Sequence, residues 1–172
     1  MRKHNGMRPQ DIVILLKIIV KGNLPWQNKD LAAELYISPS EISESLYRSS
    51  LGGLIDADQR KKVYRQSMME FLEHGLHYVF PTEPGTMVNG IYTAHSHPFM
   101  QQQFKVETLH YVWPEARGNV RGLSIEPLYK EQVKAALQDE KLYLMLALLD
   151  VIRVGRVREF KVAIDELKKL IL

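Results

Sequence analysis

Residues 28–55 read NKDLAAELYISPSEISESLYRSSLGGLI, and this stretch decides the fold that the sequence predicts. Leu31 and Leu35 are four residues apart, so they lie on one face of a short helix. Ala32 and Ala33 beside them are small enough to let a second helix cross closely. The spacing therefore predicts a helix-turn-helix, in which two short helices are joined by a tight turn.

The second of these helices opens with a capping sequence. Ser38 is a typical N-cap residue, Pro39 fits the first helical position, and Glu41 follows three residues after the cap, as in a capping box. The glycine pair Gly52 and Gly53 is expected to end the helix. The sequence thus predicts a helix from Ser38 to about Ser50.

Composition limits the classes of protein to which the chain can belong. It has 172 residues, of which 45% are hydrophobic, enough for one full core. There are no cysteines, which excludes a disulfide framework and a thiolate zinc finger. The N-terminus lacks the apolar run of a signal peptide, and no window approaches about 18 uninterrupted apolar residues. We therefore expect a cytoplasmic protein that does not enter a membrane.

The net charge of +3 is unevenly distributed along the chain. Residues 1–66 contain 11 Lys and Arg against 7 Asp and Glu, a net charge of +4, whereas residues 67–172 contain 12 against 13, a net charge of −1. A basic half beside a neutral half indicates a nucleic-acid-contacting N-terminal end. A difference this small also arises in proteins that bind no nucleic acid.

The helix-turn-helix has a helix before it and a basic run after it. Pro9 to Lys21 is predicted as a helix that Gly22 ends. Leu54-Ile55 should return to the core as a short strand. Residues 56–65 then form a polar turn and a basic run, at the position where a winged helix carries its wing.

The rest of the chain divides into three stretches. A helix is predicted from about Val63 to His74 and a strand from His77 to Phe80. Pro81–Pro127 is punctuated by Pro and Gly, which predicts short strands and loops. The C-terminal third is helical, with Asp139 as the N-cap of a helix that is apolar around most of its circumference.

The run LAAELYISPSEISESLYRSSLGGLI resembles the helix-turn-helix of winged-helix bacterial transcriptional regulators that are MarR-like in the broad sense. The later segments HYVFP, VWP and RGLSIEPLY are similar to those of a group of bacterial winged-helix proteins. The first resemblance implies sequence-specific binding of double-stranded DNA by a homodimer whose second helices occupy successive major grooves. We accordingly expect a transcriptional regulator.

The predicted fold class is α+β, with a winged helix-turn-helix N-terminal unit, short β-strands in the middle and a helical C-terminus. Residues 1–80 form the predicted DNA-binding domain. Residues 81–172 form a β-rich segment followed by C-terminal helices, a candidate dimerisation or regulatory unit. Apolar stripes at helical spacing in those helices predict either a subunit contact or an internal core.

Carried onto this sequence, the motif predicts which side chains face DNA. With its apolar stripe turned inward, the second helix presents an outer face at 100° per residue. That outer face carries Ser40, Ser43, Glu44, Tyr47 and Arg48. The basic run adds Arg60, Lys61, Lys62 and Arg65 as phosphate contacts, and an N-terminal arm adds Arg2, Lys3 and Arg8.

One of these residues departs from the expected chemistry. Glu44 repels phosphate, so it either accepts from a cytosine amino group or indicates that this helix contacts protein. The alternative function is therefore a winged-helix protein-interaction module, antitoxin-like or an adaptor, that does not itself bind DNA. A third hypothesis is a ligand sensor with a pocket among the aromatic residues Tyr92, Phe99, Phe104, Tyr111 and Trp113.

Catalytic and metal-binding patterns are weak. His95, His97 and His110 resemble a metal-binding set, but the sequence offers no convincing third and fourth ligand near them. No Gly-x-Ser-x-Gly element, cysteine nucleophile or phosphate-binding glycine-rich loop is present. We therefore expect no enzyme activity, no catalytic residue, no metal and no cofactor.

Overall fold

The computed structural model describes residues 5–105 and 109–172 of the chain. Within these two ranges the fold is α+β, as predicted, with helices at both ends and a small sheet between them. The helices are α1 (Pro9–Lys21), α2 (Asn28–Leu35), α3 (Pro39–Leu51), α4 (Arg65–His74), α5 (Leu76–Val79), α6 (Pro98–Gln103), α7 (Gln132–Leu137), α8 (Glu140–Val154) and α9 (Val157–Ile171). The strands are β1 (Met87–Tyr92), β2 (Tyr111–Pro114) and β3 (Val120–Ser124), and a 3-10 turn spans Ala94–Ser96.

Helix α1 has the bounds that the sequence predicted. Pro9 occupies its first position, and the Asp11 carboxylate accepts a hydrogen bond of 2.8 Å from the backbone N–H of Arg8. Gly22 ends the helix at a φ of 59°, which costs glycine little because it has no Cβ. Side chains around α1 are buried because α2, α3 and α8 all pack against it.

Helices α2 and α3 form the predicted pair. Tyr36, with a left-handed φ of 57°, ends α2 and turns the chain. The Ser38 hydroxyl accepts from the backbone N–H of Glu41 at 3.2 Å, which confirms the predicted N-cap of α3. The Glu41 carboxylate accepts a hydrogen bond of 2.6 Å from Arg48 instead of returning to the cap.

The segment after α3 forms a small hairpin-like loop. Ile55 and Val63 make an isolated antiparallel bridge, and the Tyr64 N–H donates to the Leu54 carbonyl at 2.9 Å. The Asp56 carboxylate closes the loop of residues 56–62, which we call the Asp56 loop. It accepts hydrogen bonds of 2.6 to 3.1 Å from the backbone N–H groups of Gln59, Arg60, Lys61 and Lys62.

The predicted strand from His77 to Phe80 is wrong, because this segment is helical. The backbone N–H groups of Tyr78 and Val79 donate to the Gly75 carbonyl at 3.1 Å, which closes the turn of α5. Leu76 is fully buried and holds α5 against α8, whereas Tyr78 and Val79 are exposed. The packing of α5 against α4 and α8 thus outweighs the strand preference of the local aromatic and β-branched residues.

The three strands close on one another. Strand β1 is antiparallel to both β2 and β3, and β2 and β3 are parallel to each other. This tight closure requires glycine at the crossing point. A Cβ on Gly90 would lie 2.1 Å from the Trp113 carbonyl oxygen, and one on Gly118 would lie 2.3 Å from the Gly90 carbonyl oxygen.

Helix α8 lies at the centre of the C-terminal half. The Asp139 carboxylate accepts from the backbone N–H of Leu142 at 3.0 Å, which confirms the predicted N-cap. Contacts with α1, α5, α7 and α9 bury α8 on most sides. The apolar stripes of α8 and α9 are therefore part of an internal core, and that core continues across the boundary predicted at residue 80. None of the described helices is long and apolar enough to cross a membrane.

Candidate nucleic-acid interface

Helix α3 presents part of its predicted outer face to solvent. Ser40, Ser43, Glu44 and Tyr47 are exposed, as the helical spacing predicted. Three of these four side chains offer hydroxyl groups, and Tyr47 also offers an aromatic face. Such groups can read base edges or contact phosphate, whereas the Glu44 carboxylate can accept only from a base donor.

Arg48 is not on the outer face of α3, so its predicted placement is wrong. Only 4% of the residue is exposed. Its guanidinium donates to both carboxylate oxygens of Asp11, from Nε at 2.9 Å and from Nη2 at 2.7 Å. Nη2 also donates to Glu41 at 2.6 Å. The Asp11 hydrogen bonds are the largest influence on Arg48 and raise its pKa above the ordinary value, so the side chain is a permanent internal cation.

The sequence contains a signal for this placement. Glu41 and Arg48 are seven residues apart, which puts them on the same face of α3 two turns apart. Asp11 lies in the first turn of α1, where its charge also favours the positive end of the helix dipole. The spacing of Glu41 and Arg48 could not show that α1 packs against α3 beside Arg48, which brings Asp11 within hydrogen-bonding distance.

The neutralisation of Arg48 leaves the exposed face of α3 without a cation of its own. Arg48 is the only Lys or Arg in α3. Glu41 is partly offset by Arg8, whose Nη1 lies 3.6 Å from it, and Glu44 contributes a second negative charge. Phosphate attraction at this face must therefore come from other elements.

Arg60 of the Asp56 loop supplies a cation beside α3. Its guanidinium lies over the Tyr47 ring, 5.2 Å from the ring centre, as in a cation–π pair. Its backbone has a left-handed φ of 54°, an uncommon conformation for a residue with a side chain. The loop thus holds Arg60 at a cost in backbone strain, next to the exposed face of α3.

The Asp56 carboxylate fixes the loop that carries Arg60. Burial alone would raise the pKa of Asp56, but the backbone N–H groups of Lys62 and its neighbours lower it below the ordinary value. The carboxylate is therefore ionised at neutral pH. It holds the loop backbone in one arrangement, which reduces the entropy that binding would otherwise cost.

The other predicted cations have different surroundings. Lys61 donates to the Trp26 carbonyl at 2.6 Å, and its Nζ lies 3.6 Å from the centre of the Trp26 ring. Arg65 donates to the Ile171 carbonyl at 2.7 Å, at the C-terminal end of α9. Lys62 is exposed. Arg2 and Lys3 of the predicted N-terminal arm lie outside the described residues.

His97 and His110, which were considered as metal ligands, take part in hydrogen bonds within and between loops. The backbone N–H of Tyr111 donates to the Ser96 hydroxyl at 2.9 Å, and His110 Nδ1 lies 3.2 Å from that hydroxyl. His97 Nδ1 accepts from the Phe99 N–H at 3.1 Å, and burial lowers the pKa of His97 to about 4. Across the described ranges, no group of three or more metal-binding side chains is arranged to hold an ion.

Of the aromatic residues considered as a sensor pocket, Phe104 lines a small cavity and Trp113 is part of the core. The cavity beside Phe104, His95 and Glu159 has a volume of about 10 Å³, which leaves room for about one water molecule. Trp113 is fully buried and donates to Asp150 at 2.6 Å.

Sequence analysis missed the buried charge cluster around Asp150. This carboxylate accepts from Thr93 at 2.7 Å and from Arg153 at 2.8 Å, in addition to Trp113. Arg153 also donates to the Glu126 carbonyl at 3.0 Å. The available signal was the pair of opposite charges three residues apart, Asp150 and Arg153, in the part of α8 after Lys141, which is otherwise uncharged.

Comparison of the chain with family models, with curated proteins and with solved structures finds no match. The assignment of a function therefore depends on the residues themselves.

Proposed function

We propose that this chain is a cytoplasmic, non-enzymatic transcriptional regulator that binds double-stranded DNA through a winged helix-turn-helix. Helices α1 to α3 are its three-helix unit, α3 is the recognition helix and the Asp56 loop is the wing. The observation that carries this proposal is the contact of Arg60 with Tyr47, which joins the loop to the exposed face of α3. This contact holds the Arg60 guanidinium beside the exposed face of α3, which has no exposed Lys or Arg of its own.

In this proposal, sequence selection and affinity come from different elements. Ser40, Ser43, Glu44 and Tyr47 enter the major groove and contact base edges. Arg60 and Lys62 bind phosphate beside the groove, and Arg8 contributes where α1 begins. About three phosphate contacts per protomer correspond to a slope of about −3 in a plot of log affinity against log salt concentration.

The test measures duplex affinity and its dependence on salt. Fluorescence anisotropy with fragments of the DNA upstream of its own coding sequence should show saturable binding at low salt. Arg60→Ala should weaken binding to all sequences and reduce the salt slope by about 1. Lys130→Ala is the matched control, because Lys130 is an exposed cation in the C-terminal half. Absence of duplex binding by the wild-type chain at low salt would refute the proposal.

A second candidate function is supported by the same helix. Because Arg48 pairs with Asp11 and Glu41, α3 presents hydroxyls, a carboxylate and the exposed apolar groups Tyr47 and Leu51. A surface of this kind also fits a protein partner, as in an antitoxin-like or adaptor module. Isolation of a stoichiometric protein complex that contains no DNA, and that Tyr47→Asp abolishes, would favour this alternative.

A further inference from the structure

A groove on the protein surface lies between the C-terminal half of α1, the end of the Asp56 loop and the first turn of α4. We call it the α1–α4 groove. Its volume is about 710 Å³, and small-molecule sites commonly occupy about 300–1,000 Å³. Ile18, Ile19 and Val63 line it and are almost completely buried, so they offer a ligand an apolar surface.

Positive charge is concentrated around the α1–α4 groove. Lys61, Lys62 and Arg65 line it, and none of the described residues that line it is an Asp or a Glu. Within the described parts of the chain, none of the three cations lies within salt-bridge distance of a carboxylate. Lys17 of α1, by contrast, pairs with Asp139 at 2.6 Å. The groove therefore has three positive charges that no carboxylate neutralises.

Neutral groups hold two of these cations in place. Lys61 Nζ donates to the Trp26 carbonyl at 2.6 Å and lies 3.6 Å from the centre of the Trp26 ring. Arg65 donates to the Ile171 carbonyl at 2.7 Å. An ammonium has three N–H donors and a guanidinium has five, so most donors of both groups remain available. These contacts fix the side chains without cancelling their charges, which lowers the entropy cost of binding an anion.

Two of the groove cations contact elements other than the proposed recognition helix. Arg60 lies over Tyr47 of α3, whereas the next residue, Lys61, contacts Trp26 in the connection between α1 and α2. Arg65 contacts the C-terminal end of α9. The proposed DNA contacts therefore leave Lys61 and Arg65 without an assigned role.

A phosphate monoester matches the chemistry of this groove. At neutral pH it carries a charge of about −1.5 to −2 and has three strong acceptor oxygens. The Arg65 guanidinium can donate two parallel hydrogen bonds to such a group, and the two lysines act as compact charges beside it. An apolar substituent on the phosphate would gain affinity by covering Ile18 and Ile19.

We propose that the α1–α4 groove binds a phosphate monoester that carries an apolar substituent. Lys61, Lys62 and Arg65 hold the phosphate, and the substituent packs against the apolar surface of the groove. This binding requires no DNA, so it goes beyond the proposed function and is tested separately.

The experiment is calorimetric titration of the full chain with phenyl phosphate at low salt. The chain should bind one molecule saturably. Inorganic phosphate should bind at least about tenfold more weakly, because it has no ring to cover the apolar surface. Phenol, which has the ring without the charge, should show no saturable binding. Equal affinity for phenyl phosphate and either of the other two probes would overturn the proposal.

Variants of the groove test which residues hold the phosphate. Lys62→Ala and Arg65→Gln should each weaken phenyl phosphate binding about tenfold or more, the effect of losing a hydrogen bond between charged groups. The Lys62 side chain is exposed, so its replacement should leave the fold intact. Lys130→Ala is the matched control, because Lys130 is an exposed cation that lines a different groove.

NMR spectroscopy locates the probe independently. The backbone amide signals of Lys62, Gln66 and Ser67, which line the groove, should shift on addition of phenyl phosphate. The amide signal of Lys130 should not shift. Equal shifts at Lys130 and at the groove residues would count against a specific site.

Two further results would overturn the proposal. One is the absence of saturable phenyl phosphate binding, or binding that Lys62→Ala and Arg65→Gln leave unchanged. The other is a decrease of about 1 in the salt slope of duplex binding on Arg65→Gln, because Arg65 would then belong to the DNA interface. A chain that binds phenyl phosphate but no duplex would refute the proposed function alone, and one that binds duplex but no phenyl phosphate would refute this inference alone.

Discussion

Removal of the Arg48 charge tests whether this residue belongs to the core or to the DNA-facing surface. Arg48→Met keeps most of the side-chain volume and deletes the guanidinium. Asp11, which is fully buried, would lose two hydrogen bonds of 2.9 and 2.7 Å and keep the backbone N–H of Arg8 as a donor. An uncompensated buried charge costs about 3–5 kcal/mol. We expect the free energy of unfolding to fall by that amount.

The matched variant removes both members of the pair. Asp11→Leu combined with Arg48→Met leaves no buried charge at this position, and Glu41 keeps its exposure to solvent and its contact with Arg8. Replacing a buried ion pair with apolar residues is commonly neutral or stabilising. The double variant should therefore recover most of the loss. Urea unfolding followed by the fluorescence of the buried Trp26 and Trp113 measures all the variants.

Two outcomes would contradict this interpretation. The first is an Arg48→Met variant whose free energy of unfolding lies within about 0.5 kcal/mol of the wild type, as for an exposed side chain. The second concerns duplex affinity, measured on the folded double variant. If Arg48 of the wild type contacted DNA, the double variant would lose about 1–3 kcal/mol of binding free energy. If Arg48 is internal, the double variant should bind duplex DNA with an affinity close to that of the wild type.

Two other predictions concern stability. Because burial lowers the pKa of His97 from 6.5 to about 4, the unfolded chain binds a proton between these values and the folded chain does not. The free energy of unfolding should thus fall by about 3 kcal/mol from this group as the pH falls from 6.5 to 4. His97→Gln should flatten that part of the plot of unfolding free energy against pH. A plot that His97→Gln leaves unchanged would contradict the assignment of this pH dependence to His97. Gly90→Ala places a Cβ 2.1 Å from the Trp113 carbonyl oxygen and should cost about 3 kcal/mol or more in urea unfolding. Gly52→Ala, whose new Cβ would be 3.6 Å from the nearest atom, is the control, and equal effects at the two positions would refute the close-approach argument.

The sequence predicted those elements whose start and end are marked by local chemistry. Pro9 and Gly22 bound α1, Ser38 caps α3 and Asp139 caps α8, and each of these assignments is confirmed. Capping depends on residues within one turn of the helix end, so a single sequence contains the necessary information. The strand expected after Gly75 failed because burial of Leu76 against α8 is a contact between distant parts of the chain.

The residues of the candidate interface also divide into those that a local pattern predicts and those that depend on contacts between distant parts of the chain. Helical periodicity placed Ser40, Ser43 and Tyr47 on the exposed face correctly. Periodicity leaves the boundary of a buried face undefined by about one position, and Arg48 lies at that boundary. Its direction is decided by Asp11, 37 positions earlier in the chain. The contact between Arg60 and Tyr47 likewise depends on how the Asp56 loop returns to α3, which no local pattern encodes.

The internal position of Arg48 changes what a second copy would contribute to DNA binding. A protomer that offers about three phosphate contacts binds non-specific duplex weakly at physiological salt. In a dimer, the binding of one α3 makes the binding of the other intramolecular, so the effective concentration of the second helix rises without any new contact. An interface formed by hydroxyl groups, the Glu44 carboxylate and Tyr47 would then discriminate between sequences mainly when two half-sites are present at the correct spacing. The weak positive charge near α3, which comes from Arg60, Lys62 and Arg8 and not from α3 itself, is thus compatible with selective binding, provided that the association of two protomers supplies the affinity that α3 lacks alone.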